Sequence, residues 1–378
     1  MKAQTFSTAT PVKNFNPLAS PAPLASPSNI KYFTGPQLRT AYNYQSVTNN
    51  NRIRKVKIAI IIAYHYSNLL NDLKTYWTSA YNFGSKAVVP SVIIRTIPGA
   101  TSDNGWAIEE CLDIQMVCVM NPNAEIYVVE AKSASSSDLA FAINYASNTI
   151  CADVLSMSWG YNDSVGNGQS SLYRYFSNPK ICYCAASGDS NTPSFPSTHS
   201  NVLSVGGTSL TSISPRTEIT WTLGGSGYSS QILKPTYQNG VSNITKNFRA
   251  IPDVAAISNP NNGVLICYNG AFYIVGGTSA AAPLISGILS IAIQKRLNAK
   301  KTISLTTVDK PPATSINLQT YLYKSVYKNN YKNTLYRSCF NDILTGTDGS
   351  FQATTGFDLA TGLGSPNCTN LCNSLALL

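Results

Sequence analysis

Val56-Lys57-Ile58-Ala59-Ile60-Ile61-Ile62-Ala63 is apolar and β-branched almost throughout, with no alternation between wet and dry positions. A strand of this kind is covered on both faces, as happens where helices sandwich a parallel sheet. Similar runs follow at 91–98, 124–131, 153–158, 181–187 and 202–205. Between them, Asn104 to Val119 carries Ile108, Leu112, Met116 and Val119 at helical spacing. Strands alternating with helices predict βαβ units, and so an α/β fold with a mainly parallel sheet flanked by helices. Val264 to Val275 reads instead as a hairpin turned at Asn269-Gly270. No internal repeat or linker divides the chain, so residues 29–378 are expected to form one domain. Residues 1–28, rich in Ala, Pro, Ser, Thr and Asn, read as a disordered arm without the apolar segment of a signal peptide.

The composition narrows the function. At 378 residues and 43% hydrophobic the chain can bury a large core, yet only 12% is charged, about half the usual share of roughly 25%. The net charge is +10, but the basic residues are dispersed. The one dense stretch, Arg52 to Lys57, reads as a solvated strand entry, so a nucleic-acid partner is not expected. No apolar run reaches roughly 18 residues, which leaves no expected membrane span. With few carboxylates, little ion-pair stability can be lost in acid. Two histidines and no paired CxxC motifs argue against a zinc site. Of the nine cysteines, Cys182 and Cys184 would form a strained disulfide, whereas Cys339, Cys368 and Cys372 crowd one end and are the better candidates.

Gly276-Gly277-Thr278-Ser279-Ala280-Ala281-Ala282-Pro283 precedes an apolar helical run, Leu284 to Leu297. Small residues around Ser279 allow a strand to turn abruptly into a helix, with the serine oxygen exposed at the helix N-terminus, where developing negative charge is favoured. The same residues also describe an ordinary capped turn. The motif resembles the serine segment of subtilisins, but a serine-histidine-aspartate enzyme needs a histidine held by a carboxylate. Neither His65 nor His199 lies in such a setting, and the first strand ends without a carboxylate. A histidine-dependent enzyme using His65 is therefore the lesser alternative. Glu109 and Asp113 are four apart on the predicted helix and project from one face. They are either an acidic helix surface or, if buried, a coupled pair with one group's pKa raised. Asp189 closes an apolar strand in Ala185-Ala186-Ser187-Gly188-Asp189-Ser190. It is either a turn residue or, when protonated, a hydrogen-bond donor.

Taken in order, these segments resemble the sedolisin family of serine-carboxyl peptidases over nearly the whole chain. Tyr32 to Asn43 is similar to the start of the mature enzymes, and Glu109 to Asp113 followed by Pro122-Asn123-Ala124 to the family's catalytic helix and its exit. Ser156-Met157-Ser158-Trp159-Gly160, Val205-Gly206-Gly207-Thr208, Arg249 to Val254 and Gly356 to Pro366 fit the same pattern.

The resemblance implies a subtilisin-like fold and peptide-bond hydrolysis in acid. Ser279 would be the nucleophile, Glu109 the general base, Asp113 its supporting carboxylate and Asp189 the oxyanion partner. It also implies one calcium ion, held by the side chains of Asp342 and Asp358 and the backbone carbonyls of Ile343, Thr354 and Gly356; such oxygen ligands suit a hard cation. The implied partner is a protein or peptide substrate and the chain is expected to be a monomer, in an acidic extracellular or lysosome-like compartment. Asn191 stands where the family has glycine, Thr354 replaces a glycine, and Ile62 occupies a position where some members carry a further glutamate. The family's large N-terminal prodomain has no counterpart in the chain. The alternative in another class is an inactive homologue that serves as a binding or structural protein.

Overall fold

Ile58 to Ala63 are buried on both faces, and the sheet forms around them. In the computed structural model, residues 2–5, 8–11, 32–49, 51–163, 170–301 and 304–378 are described. Two short strands, β1 (Gln4–Thr5) and β2 (Thr8–Pro11), precede the main sheet. Its first strands are β3 (Lys57–Ala63), β4 (Val92–Thr96), β5 (Glu125–Ala131) and β6 (Val154–Met157). After an outlying strand, β7 (Trp159–Asn162), come β8 (Cys182–Ala186), β9 (Leu203–Ile213), β10 (Arg216–Thr220) and β11 (Val254–Ile257). A hairpin, β12 (Gly263–Tyr268) and β13 (Ala271–Gly276), completes the strands that matter for the site. The sheet order is β10-β9-β8-β6-β3-β5-β4, with β11 also paired to β9. All these pairings are parallel except that of β9 with β10. This is the expected mainly parallel sheet.

Five helices are used below: α1 (Leu69–Thr78), α2 (Asn104–Met120), α3 (Ser136–Tyr145), α4 (Thr278–Asn298) and α5 (Cys368–Leu377). Asp103 starts α2 by accepting from the backbone N–H of Gly105 at 3.0 Å and Trp106 at 3.1 Å, which satisfies donors the helix itself cannot. α2 is buried on nearly every side, the behaviour of a helix apolar all round. It packs against α4. A side chain at Gly287 of α4 would come within 2.6 Å of Met120, so only glycine permits this close approach. Asn121 then donates to Ser290 Oγ at 2.8 Å, locking the end of the seam. At the far end of the β12–β13 hairpin, Asp72 of α1 accepts from the backbone N–H of both Asn269 and Gly270 at 2.8 Å.

Two expectations are corrected. The arm at 1–28 is not wholly unstructured: β1 pairs with β7, and β2 pairs with β13. Open backbone edges accept extended chain through main-chain bonds whatever its composition. Residues 1, 6, 7 and 12–28 of that arm lie outside the described residues. The cysteines near the C-terminal end form no disulfide; all nine are free thiols. Cys368 and Cys372 lie four apart on α5, and Cys372 Sγ donates to Ile288 O at 3.2 Å. Among the described residues no helix is long and apolar enough to cross a membrane.

Candidate active site

Gly277 is the turning point between β13 and α4, with φ +104, a conformation glycine alone adopts without strain. The chain therefore passes from strand to helix in one residue and delivers Ser279 into the first turn of α4. Ser279 Oγ donates to Ser158 O at 3.2 Å, and Ser158 Oγ donates to Asp113 Oδ1 at 2.5 Å. Ser158 Oγ also approaches Ser279 O at 3.4 Å. Pro283, inside α4, has no N–H to offer that carbonyl. Ser158 thus stitches the serine to the carboxylate helix. It had no assigned role in the sequence, although it stands within the Ser156–Gly160 motif.

Glu109 and Asp113 are both fully buried on α2, so they do not form an exposed acidic helix surface. Burial pushes the Asp113 carboxyl well above the usual carboxylate range, against the opposing bond from Ser158. Its Oδ2 has no hydrogen-bond partner. Ser279 is buried rather than exposed, contrary to expectation.

Asp189 sits at the end of β8, half-buried, with its carboxyl turned onto Thr278. Oδ1 accepts from Thr278 N and from Thr278 Oγ1, each at 2.8 Å. Burial raises its pKa to about 7, while the two Thr278 bonds pull the other way. Asp189 is in this way tied to the residue next to Ser279. Asn191 has φ +58, the left-handed region that asparagine tolerates better than most residues, which accounts for it where glycine is usual.

Both histidines are engaged elsewhere. His199 is buried against the rings of Tyr173 and Phe176, and burial, then the Arg249 charge, lowers its pKa to about 4. His65 Nδ1 donates to Glu130 at 2.8 Å. Glu130 also accepts from Thr96 Oγ1 and, at 3.3 Å, from Tyr66 N. Register places Glu130 directly beside Ile62 on the neighbouring strand. Its further partner is Glu110, whose pKa is raised well above normal by burial, by the charge of Glu130 and by their hydrogen bond, and by Asp113. Glu110 is thus the proton carrier of that pair. Sequence pattern had no signal for this second carboxyl pair, because Glu130 lies inside an apolar strand.

In the C-terminal loops Asp342 accepts from Tyr336 OH at 3.0 Å and Gly356 N at 2.9 Å. Asp358 accepts from the backbone N–H of Thr354, Ala360 and Thr361 at 3.0, 2.9 and 2.8 Å. Burial raises both carboxyls, Asp358 to about 7, and the hydroxyls of Tyr327 and Tyr336 sense both charges. Half-buried Asp342 and buried Asp358 both lie near the Tyr327 and Tyr336 hydroxyls, and oxygen donors of this kind fit a hard cation. Among the described residues no three His, Cys, Asp or Glu side chains gather as metal ligands.

A family description of the subtilases, peptidase family S8, matches residues 99–341. Tripeptidyl-peptidase 1 of Dictyostelium discoideum is 26% identical over 95% of this chain and 60% of its own length. Kumamolisin of Bacillus sp. (strain MN-32) is 28% identical over 78% of this chain and 57% of its own. The solved structure of Pseudomonas sedolisin, a serine-carboxyl proteinase complexed with two molecules of pseudo-iodotyrostatin, superposes with a TM-score of 0.73 at 21% identity. It covers 92% of this chain and 98% of that one, which bears out the subtilisin-like fold. The chain belongs to the subtilase family, and the curated proteins it is similar to include kumamolisin, sedolisin and tripeptidyl-peptidase 1. It spans 60% or less of the length of these curated relatives.

Proposed function

We propose that the chain is a serine-carboxyl peptidase that hydrolyses peptide bonds in acid. The observation that carries this is that Ser279 and Asp113 meet on one residue, Ser158, the serine through its backbone carbonyl and the carboxyl through its hydroxyl, with Asp189 fastened to the adjoining Thr278. Ser279 Oγ attacks the scissile carbonyl carbon and its proton passes to Glu109, while the carbonyl electron pair moves onto oxygen. Collapse expels the amine, which takes the proton from Glu109 and leaves an ester on Ser279. Water then attacks the ester, again giving its proton to Glu109, and the acid product leaves as Ser279 regains its hydrogen.

Asp113, one helical turn from Glu109, is a fully buried carboxyl that favours the proton-bound state of the pair. Asp189 is the donor to the oxyanion, a role it fills only when protonated. Its pKa near 7 keeps it protonated in acid. One such donor is worth about 3 kcal/mol of transition-state stabilisation. The N-terminus of α4 adds its dipole on the same side.

A calcium ion bound by Asp342, Asp358 and the carbonyls of Ile343, Thr354 and Gly356 would neutralise the two carboxylates and brace the C-terminal loops. Hydrolysis of a peptide library by the purified chain between about pH 3 and 8, with Ser279→Ala as control, tests the reading. Cleavage in acid that vanishes with Ser279→Ala is expected. Binding without cleavage at every pH would leave the inactive homologue.

A further inference from the structure

Cys368 opens α5 and Cys372 stands one helical turn on, so both thiols leave the same face of the helix. That face meets α4, where Cys372 Sγ donates to Ile288 O at 3.2 Å. The two thiols also share a hydrogen bond. Neither has exposed surface, and both sit in the hydrophobic core with Leu371, Leu375 and Ile291. No disulfide joins them.

Their surroundings nevertheless suit negative charge. Cys368 takes the first position of a ten-residue helix, where the positive end of the dipole falls. Lys295 of α4 is anchored beside the pair, its Nζ donating to Asn373 Oδ1 at 2.6 Å. Its charge reaches both sulfurs. The bond from Cys372, then the backbone N–H of Gln45 and the Lys295 charge, hold the Cys368 thiol below its usual pKa against the effect of burial. Burial and that shared bond push Cys372 well above its own, so it keeps the proton. The neighbouring thiols on β8 differ: Cys182 is pushed well up by its bond to Cys184 and then by burial.

We propose that Cys368 and Cys372 form a two-coordinate site for a soft monovalent cation, cuprous copper in particular, enclosed between α5 and α4. Among the described residues no three His, Cys, Asp or Glu side chains gather as metal ligands, so structural zinc, which takes four ligands, does not fit. Thiolates select soft ions, and cuprous copper accepts two of them. On binding, both S–H bonds break and two S–Cu bonds form. The two protons pass to solvent, and no electron is transferred. The resulting unit carries one negative charge, which the Lys295 ammonium and the N-terminus of α5 offset. The ion would close the first turn of α5 into a ring against α4, the helix that carries Ser279. The site is separate from Ser279 and stands whether or not the chain cleaves peptides.

The test uses the full chain, reduced and free of air, with Cys151→Ser to remove the exposed thiol. It is titrated with Cu(I) against a chromophoric Cu(I) chelator, and in parallel with Ag(I), a soft ion of the same charge without redox chemistry. One ion per chain is expected. Cys368→Ser and Cys372→Ser should each weaken binding by more than about 100-fold, beyond the reach of outer-shell changes. Lys295→Met, which removes no ligand, should weaken it by about tenfold. X-ray absorption at the copper edge should find two sulfur neighbours. Should a serine unfold the core, as circular dichroism would show, alanine takes its place in the same comparison. No binding by the chain with both thiols intact, binding that survives loss of either, or binding lost with Cys184→Ser instead, overturns the proposal. Three or more sulfur neighbours would overturn it as well.

Discussion

Two regions of the molecule bury carboxylates and treat them in opposite ways. At the base of β11, Asp253 receives both Nη1 and Nη2 of Arg249 at 2.9 and 2.5 Å, the Ser204 N–H at 2.8 Å and the Tyr323 hydroxyl at 2.8 Å. Glu218 is likewise held by Arg216 at 2.8 Å and by Thr208 at 2.8 Å. These groups are charged, paired and saturated. On the α2–α4 seam, Asp113 has one hydroxyl donor and an oxygen without a partner, and Glu110 leans on another carboxylate. At Asp253 and Glu218 the buried framework carboxyl is matched with a guanidinium. Where it is left protonatable at raised pKa, it is available for proton transfer.

The contrast is broken most severely by removing the reacting groups. Ser279→Ala and Asp113→Asn should each lower kcat/KM by about 10³-fold or more, and the double variant should be scarcely worse than the singles, because the residues act as one unit. Steady-state kinetics on a fluorogenic peptide measures this. Multiplicative losses would mean that the two residues do not share a path.

Stability should respond in the opposite sense. Arg249→Met strands Asp253 in the core and should cost about 3–5 kcal/mol in a denaturant melt. Asp113→Asn, which replaces a protonated carboxyl with a neutral amide of the same shape, should change stability by less than ~1 kcal/mol. A large loss for Asp113→Asn would make it a framework carboxylate like Asp253.

Asp189 gives a smaller effect. Its pKa of about 7 places the alkaline limb of the rate profile near neutrality. Asp189→Asn keeps a donor that needs no proton, so the limb should move upward by about one unit even if the maximum falls. An unmoved limb would relieve Asp189 of the oxyanion role.

The smallest expected effect is on the pH dependence of melting. Asp113, Glu110 and Asp189 all titrate above their ordinary values in the folded state, so the native protein holds these protons more tightly than the unfolded chain. Their contribution is full below the ordinary carboxylate pKa and is lost as pH rises through the folded values. His199 works in reverse: held down to about 4, it contributes above 6.5 and loses that contribution as pH falls toward 4. Three groups outweigh one, so calorimetry should give a higher melting temperature near about pH 5.5 than near about pH 8. The reverse order would contradict the assignment of protonated carboxyls to the seam.

Much of this was legible in the sequence because the deciding signals are local. The strand at 57–63 and the helix at 104–120 came within a residue or two of their expected ends, and the hairpin turns at Asn269-Gly270 as read. The strand at 202–205 runs on to Ile213, since Gly206-Gly207 interrupts the apolar run but not the backbone ladder with β11. What was missed depends on pairing across the fold. Ser158 acquires its role only when β6 ends against α4, and Glu130 only when register sets it beside Ile62 and under Glu110. The cysteines misled because closeness is not a bond: Cys368 and Cys372 neighbour one another on α5 as free thiols. The arm misled because its composition describes free chain, while the edges that hold it belong to residues more than 130 positions away.

The central claim is that a glutamate, not a histidine, is the base to Ser279. The most direct measurement is kcat/KM against pH for the unaltered chain, Glu109→Gln and His65→Gln on one peptide substrate. The account predicts a bell centred below neutrality for the unaltered chain, its near-complete loss in Glu109→Gln, and a profile of similar height in His65→Gln. Activity that survives Glu109→Gln, rises through neutrality and disappears with His65→Gln would contradict it.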